Sequence, residues 1–153
     1  MASLMENLID ILNEQYDAYS ALVELSRKKT PIIVSGSLED LQKITDEEQD
    51  AVNVVNDIDK KRIEIMGDIA NVLNQDINNL KLSNLVELIN TRPEEQAKLN
   101  EARGKLIEIG KELKTVNERN RELLENALEM IDFDMNLIQA MKQAPQMGNY
   151  NSG

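Results

Sequence analysis

The sequence predicts an all-α protein, an elongated antiparallel bundle of three long heptad-patterned helices plus one short helix, with a disordered C-terminal tail. Three observations predict it. Apolar residues recur at alternating three- and four-residue spacings along three long runs, the signature of helices packed side by side. The aromatic residues are Tyr16, Tyr19, Phe133 and Tyr150 alone, too few for the core of a sandwich or barrel. Three Pro and six Gly are too few for a many-turned β fold. A chain of 153 residues suits one domain. Residues 1–142 are assigned to a single helical-bundle domain and 143–153 to a flexible tail rich in Pro, Gly, Asn and Gln.

The first helix is expected from Ser3 to about Val34. Its seam is Leu4, Leu8, Ile11, Gln15, Ala18, Leu22, Leu25, Lys29 and Ile32, widened on one side by Met5, Leu12 and Tyr19. Ser3 is its N-cap, with Glu6 as the capping-box partner. Pro31 lies inside the pattern and is expected to kink or end the helix, because it lacks an N–H and clashes with the preceding turn. Ser35-Gly36-Ser37 is the break, with Gly36 free to take positive φ.

The second helix runs from Leu38 to about Leu73 along Leu41, Ile44, Glu48, Ala51, Val55, Ile58, Arg62, Ile65, Ile69 and Val72. Ser37 caps it, and Glu39 and Asp40 suit its positive N-terminus. The stretch from Asn74 to Asn79 breaks the pattern. A short third helix is expected from Asn84 to Asn90, capped by Ser83 and ended by Thr91-Arg92-Pro93. Proline is at home in a first helical turn, so Pro93 starts the fourth helix, which runs to about Lys142. Its seam is Leu99, Ala102, Leu106, Ile109, Leu113, Val116, Asn120, Leu123, Ala127, Met130, Asp134, Leu137 and Met141, broadened by Ile107, Leu124, Leu128, Ile131 and Ile138.

The lengths do not match. At about 1.5 Å per residue the first two helices span roughly 50 Å and the fourth roughly 70 Å. A fourth helix that starts beside the end of the second therefore runs past the bundle, emerging near the Ser35-Gly36-Ser37 turn.

The seams carry polar residues: Gln15, Lys29, Glu48, Arg62, Asn120 and Asp134. Such positions set helix register, and Lys29 and Arg62 can also snorkel. If Glu48 and Arg62 face partners inside the bundle they should pair, since a lone buried charge is far costlier. Gly110 flanks the seam residue Ile109, where it could allow close helix approach; Gly67 lies off the seam.

Composition excludes most chemistry. Seventeen basic against 28 acidic residues leave a formal charge of −11, with no basic cluster, so nucleic acid and anionic lipid are not expected partners. The chain has no Cys and no His, which removes disulfides, thiol catalysis, Ser-His-Asp triads and most zinc chemistry. Asp132, Asp134 and Asn136 imitate the first ligands of a calcium loop, but Leu137 stands where the turn glycine belongs and Gln143 where the bidentate Glu belongs. No cofactor and no enzyme activity are expected. No segment approaches the run of about 18 apolar residues that membrane insertion needs. The N-terminus lacks a basic n-region, so the cytoplasm is the expected compartment.

The C-terminal end differs from the rest. From Met135 to Gly153 only Lys142 is charged, and four of the seven Met lie between Met130 and Met147. Methionine is flexible and polarizable and recurs on surfaces that accept helical partners. Either this end packs on its own bundle or a second copy, or it is a docking surface for an amphipathic helix. Part of the fourth helix is expected to form a homodimer.

Several stretches together resemble the FlgN family of flagellar export chaperones. They are Leu8-Ile9-Asp10-Ile11-Leu12-Asn13-Glu14-Gln15, Leu22, Lys29, Gly36-Ser37-Leu38-Glu39-Asp40-Leu41, Glu48 and Ile58-Asp59-Lys60-Lys61-Arg62. Leu82-Ser83-Asn84-Leu85 followed by Pro93-Glu94 is similar to the family's short connecting helix, and Gly148-Asn149-Tyr150-Asn151-Ser152-Gly153 to the tails of some members. The resemblance covers essentially the whole chain; Pro31 departs from it.

The resemblance implies a cytoplasmic, acidic chaperone of the flagellar type III secretion system. Its partners would be the hook-filament junction (hook-associated) proteins, whose terminal helical segments it would hold against premature assembly, and the flagellar export gate, to which it would deliver them. The family places cargo capture in the C-terminal part, which maps here onto Met130, Ile131, Leu137, Ile138 and Met141, with Phe133 beside them. The reading from a different class is a structural coiled-coil or oligomeric scaffold with no role in secretion.

Overall fold

The computed structural model describes residues 3–143, with the side chain of Gln143 left out. The assignment of 143–153 to a flexible tail therefore falls almost wholly outside the described residues. Among those described there are four α-helices and one 3-10 turn, and no strand.

Helix α1 (Leu4–Ser35) opens on Ser3, whose Oγ accepts the Glu6 N–H at 3.1 Å. It closes on Gly36 at φ 74°, a left-handed conformation that an L side chain strains to adopt. Two residues make the turn. Ser37 then caps α2 (Leu38–Leu73), its Oγ accepting the Asp40 N–H at 3.3 Å. Asn74, at φ 55°, ends α2 as a second left-handed cap.

Pro31 does not end α1. The helix continues through it to Ser35. Proline removes the donor that would reach the Arg27 carbonyl. The turns on either side are held from outside the helix, by Thr30 and Ser26 bonding to other helices and by burial of Ile33.

After α2 the chain makes a short 3-10 turn at Ile77–Asn79, then α3 (Leu82–Leu88) and α4 (Pro93–Gln143). The third helix begins two residues earlier than its sequence suggested, and Ser83 is not its cap. Leu82 and Leu85, three residues apart and so on one face of the helix, enter the core together with Leu80, and Asn84 Oδ1 accepts the Lys81 N–H at 3.1 Å to cap the new start.

The chain runs up, down and up. Helix α1 is central: α2 packs antiparallel on one flank and α4 parallel on the other, and the backbones of α2 and α4 do not approach closely. The main core sits at the lower end. There Met5, Leu8, Ile9 and Leu12 of α1 meet Met66, Ile69 and Ala70 of α2 and Leu99 and Ala102 of α4, with α3 closing the base. Val72, expected on the seam of α2, is exposed: it lies in the last turn of α2, level with the first turn of α1, at the open end of the bundle.

Candidate docking site on the projecting end of the last helix

The site is defined by how α4 is clamped to α1 and where the clamping stops. Low on the bundle, the Lys105 ammonium lies 4.4 Å from the centre of the Tyr16 ring. Midway, the Arg27 guanidinium pairs with the Glu112 carboxylate. Higher, Asn120 is buried, its Nδ2 donating to the Ser26 carbonyl at 2.7 Å and its Oδ1 accepting the Thr30 hydroxyl at 2.6 Å. These contacts place Thr30 level with Asn120. Five residues later α1 ends, so α4 passes the end of its support near residue 125. The remaining stretch, about 18 residues at about 1.5 Å each, extends roughly 27 Å beyond the bundle.

The same level holds the polar seam residues. Glu48 of α2 accepts from Lys29 Nζ at 2.8 Å through one oxygen and from the Ser26 hydroxyl at 2.9 Å through the other. Lower down, Gln15 is buried, donating to Asp59 at 3.3 Å while its carbonyl oxygen accepts from Arg62 at 3.2 Å. Glu48 and Arg62 are both paired, each with a group on α1. Every buried side-chain polar atom among the described residues has a partner. These layers fix the register of three helices that apolar packing alone would allow to slide.

Above Asn120 the cover of α4 runs out within about two turns. Leu123, Leu124 and Ala127 are half-buried, and every residue from Leu128 to Lys142 is exposed. All six residues expected to hold cargo lie on this end: Met130, Ile131, Phe133, Leu137, Ile138 and Met141, between 49% and 64% exposed. Met130, Leu137 and Met141 continue the seam that lower down faces α1, interrupted by Asp134. Ile131 and Ile138 belong to a neighbouring seam with Leu128 and Met135, which are 61% and 62% exposed. Met135 was missed in the sequence; extending Leu124, Leu128 and Ile131 by the same spacing reaches it. The two seams together make one side of the projecting helix apolar. Glu129, Asp132 and Asn136 lie outside them. Asp132, Asp134 and Asn136 all sit within continuous helix, so the loop that a calcium site of that pattern requires is not formed.

The projecting end is a helix about five turns long, apolar along one side and held at one end.

No helix among the described residues is long and apolar enough to cross a membrane. A search of curated proteins and a search of solved structures each gave no match. The model of one family, described as FlgN protein, matches residues 1–153, the whole chain. The clamped bundle with a projecting C-terminal helix thus belongs to a member of the FlgN family, a family of flagellar export chaperones and not of enzymes.

Proposed function

We propose that this protein is a cytoplasmic chaperone that binds terminal helical segments of hook-filament junction proteins, keeps them from assembling early and delivers them to the flagellar export gate. It does so without cofactor or catalysis. The observation that supports this most is the exposure of Met130, Ile131, Phe133, Leu137, Ile138 and Met141 on one projecting helix. Each large apolar side chain left in water forgoes about 1.5–3 kcal/mol relative to burial. A partner helix with apolar residues at i, i+3, i+4 and i+7 would cover the stripe, and three methionines, counting Met135, would let it fit more than one cargo sequence.

Pairing of two copies through α4 belongs to the same reading, as the state of the stripe when no cargo is present. The test of cargo capture is a triple variant, Leu137→Ser, Ile138→Ser and Met141→Ser. It should lose binding of a purified junction protein in titration calorimetry while its thermal unfolding stays nearly unchanged. Normal binding by the folded variant would place cargo elsewhere; loss of the fold would make the stripe core and favour a scaffold.

A further inference from the structure

The separation of α2 from α4 leaves a cleft above α3, with a volume of about 570 Å³. Tyr19, Leu106, Ile107 and Leu113 give it apolar walls, Arg62, Lys81 and Arg103 stand around it, and no carboxylate lines it. In a chain of charge −11 such a cleft is unusual. Gly110 opens into it, and a Cβ built on Gly110 would meet nothing within 4 Å. The projecting end of α4 has the complementary character. Between residues 122 and 143 it carries Glu122, Glu125, Glu129, Asp132 and Asp134 against Lys142 alone, beside its apolar stripe.

One seam joins the two features. Ile107, Gly110, Lys114, Asn117, Arg121, Leu124, Leu128, Ile131, Met135 and Ile138 follow each other at spacings of three and four. All are exposed except Leu124, which is half-buried. The order of spacings reads the same from either end. An antiparallel partner with the same seam therefore matches its spacing along the full length, about a two-fold axis between Glu122 and Leu123, with Lys114, Asn117 and Arg121 facing Ile131, Leu128 and Leu124.

We propose that two copies pair through this seam, the projecting end of each α4 lying in the α2–α4 cleft of the other. The pairing sets Ile138 against Ile107 and Met135 over Gly110, where the missing side chain leaves room. It brings Lys114 beside Asp132 and Arg121 beside Glu125 of the other copy. Both ends engage at once, so the assembly closes as a dimer and does not propagate as a fibre. A parallel pairing would instead set the acidic ends against each other. The second copy thus acts as the absent fourth helix over the cleft. The proposal gives a geometry to the pairing of copies and does not depend on cargo capture, so the two readings fail separately.

The chain has no cysteine, which makes engineered cross-linking clean. Full-length Gly110→Cys and Met135→Cys proteins are oxidised separately and as an equimolar mixture, with helix content checked by circular dichroism. The mixture should give a disulfide-linked dimer on a non-reducing gel, and each protein alone should stay monomeric on that gel. In parallel, Met135→Asp should weaken the dimer seen by sedimentation equilibrium by about tenfold or more. A wild-type chain that sediments as a monomer at tens of micromolar overturns the proposal. So does self-linking of Met135→Cys alone, which marks parallel pairing, or a dimer that Met135→Asp leaves intact.

Discussion

Asn120 of α4 donates its side-chain amide to the backbone carbonyl of Ser26 in α1, at 2.7 Å and out of contact with water. One residue of the longest helix thus reads the position of the central helix through a main-chain atom, whatever side chain sits there. The Thr30 hydroxyl completes the contact by donating to Asn120 Oδ1. Exchanging Asn120 for Leu leaves the amide's partners without it, in a place where water cannot substitute. The variant should lose about 1–3 kcal/mol of stability in urea denaturation. The same variant should loosen the upper bundle first, seen as faster amide exchange near Thr30 while the amides near Leu99 stay protected.

The Lys29–Glu48 pair predicts a non-additive pattern. Both side chains are largely covered, at 15% exposure each, and Glu48 also serves the Ser26 hydroxyl. Glu48→Leu strands the Lys29 ammonium and should cost about 3 kcal/mol. Lys29→Met combined with Glu48→Leu removes both charges and should recover a large part of that loss. Equal and additive losses in a double-mutant cycle by denaturation would mean that the pair is solvated and weak.

Gly36 gives a smaller and local effect. At φ 74° it ends α1 and lets the chain turn into α2 in two residues. Space is not the obstacle, since a Cβ there would meet nothing within 4 Å. The backbone conformation is. Gly36→Ala should lower stability by about 1 kcal/mol, measured as a shift of the denaturation midpoint with unchanged slope.

Much of this fold was readable because helix periodicity and caps are local. Ser3, Ser37, Gly36 and Pro93 sit where their chemistry alone placed them, and the mismatch of helix lengths gave the projecting end of α4. The readings that moved did so for tertiary reasons. The third helix starts at Leu82, which enters the core with Leu85 on the same helix face, and Asn84 caps the start from inside the helix. Ser26 was not singled out, although it is fully buried. The signal was present: Met5, Leu12, Tyr19, Ser26 and Ile33 recur every seven residues, a second stripe that a helix needs when it is contacted on two flanks. The cleft between α2 and α4 could not be read. Heptad seams announce that helices pack, but they do not say which pair stays apart, and Gly110 looked like a close-packing position when it is an open one.

The projecting helix end should be dynamically distinct from the rest of α4. From Leu128 to Lys142 every residue is exposed, and isolated helix of this length is marginal in water. Hydrogen exchange should therefore show fast amides from about residue 126 onward and slow ones near Leu99 and Ile109, both buried. A uniform profile along α4 in dilute protein would mean that the end is covered.

The stripe and the dimer seam share Ile131 and Ile138, so cargo and a second copy cannot occupy the end of α4 together. This predicts competition with a definite sign. Adding a junction protein to the pre-formed dimer should release monomer before a cargo complex appears, and the apparent cargo affinity should fall as chaperone concentration rises. Lys114→Glu together with Arg121→Glu separates the two uses of the helix. Both side chains lie exposed on the cleft side of α4, below the projecting end, and opposite acidic residues of the second copy in the proposed pairing. The double variant should therefore be monomeric and should bind cargo more tightly than the wild type, because no dimer has to be opened first. Fluorescence anisotropy of a labelled cargo helix measures this directly. A monomeric variant that binds cargo no better would show that self-pairing never covered the site. A variant that is monomeric and has lost cargo binding would mean that the cargo helix itself reaches down α4 into the cleft, making the bound partner, and not a second copy, the missing fourth helix.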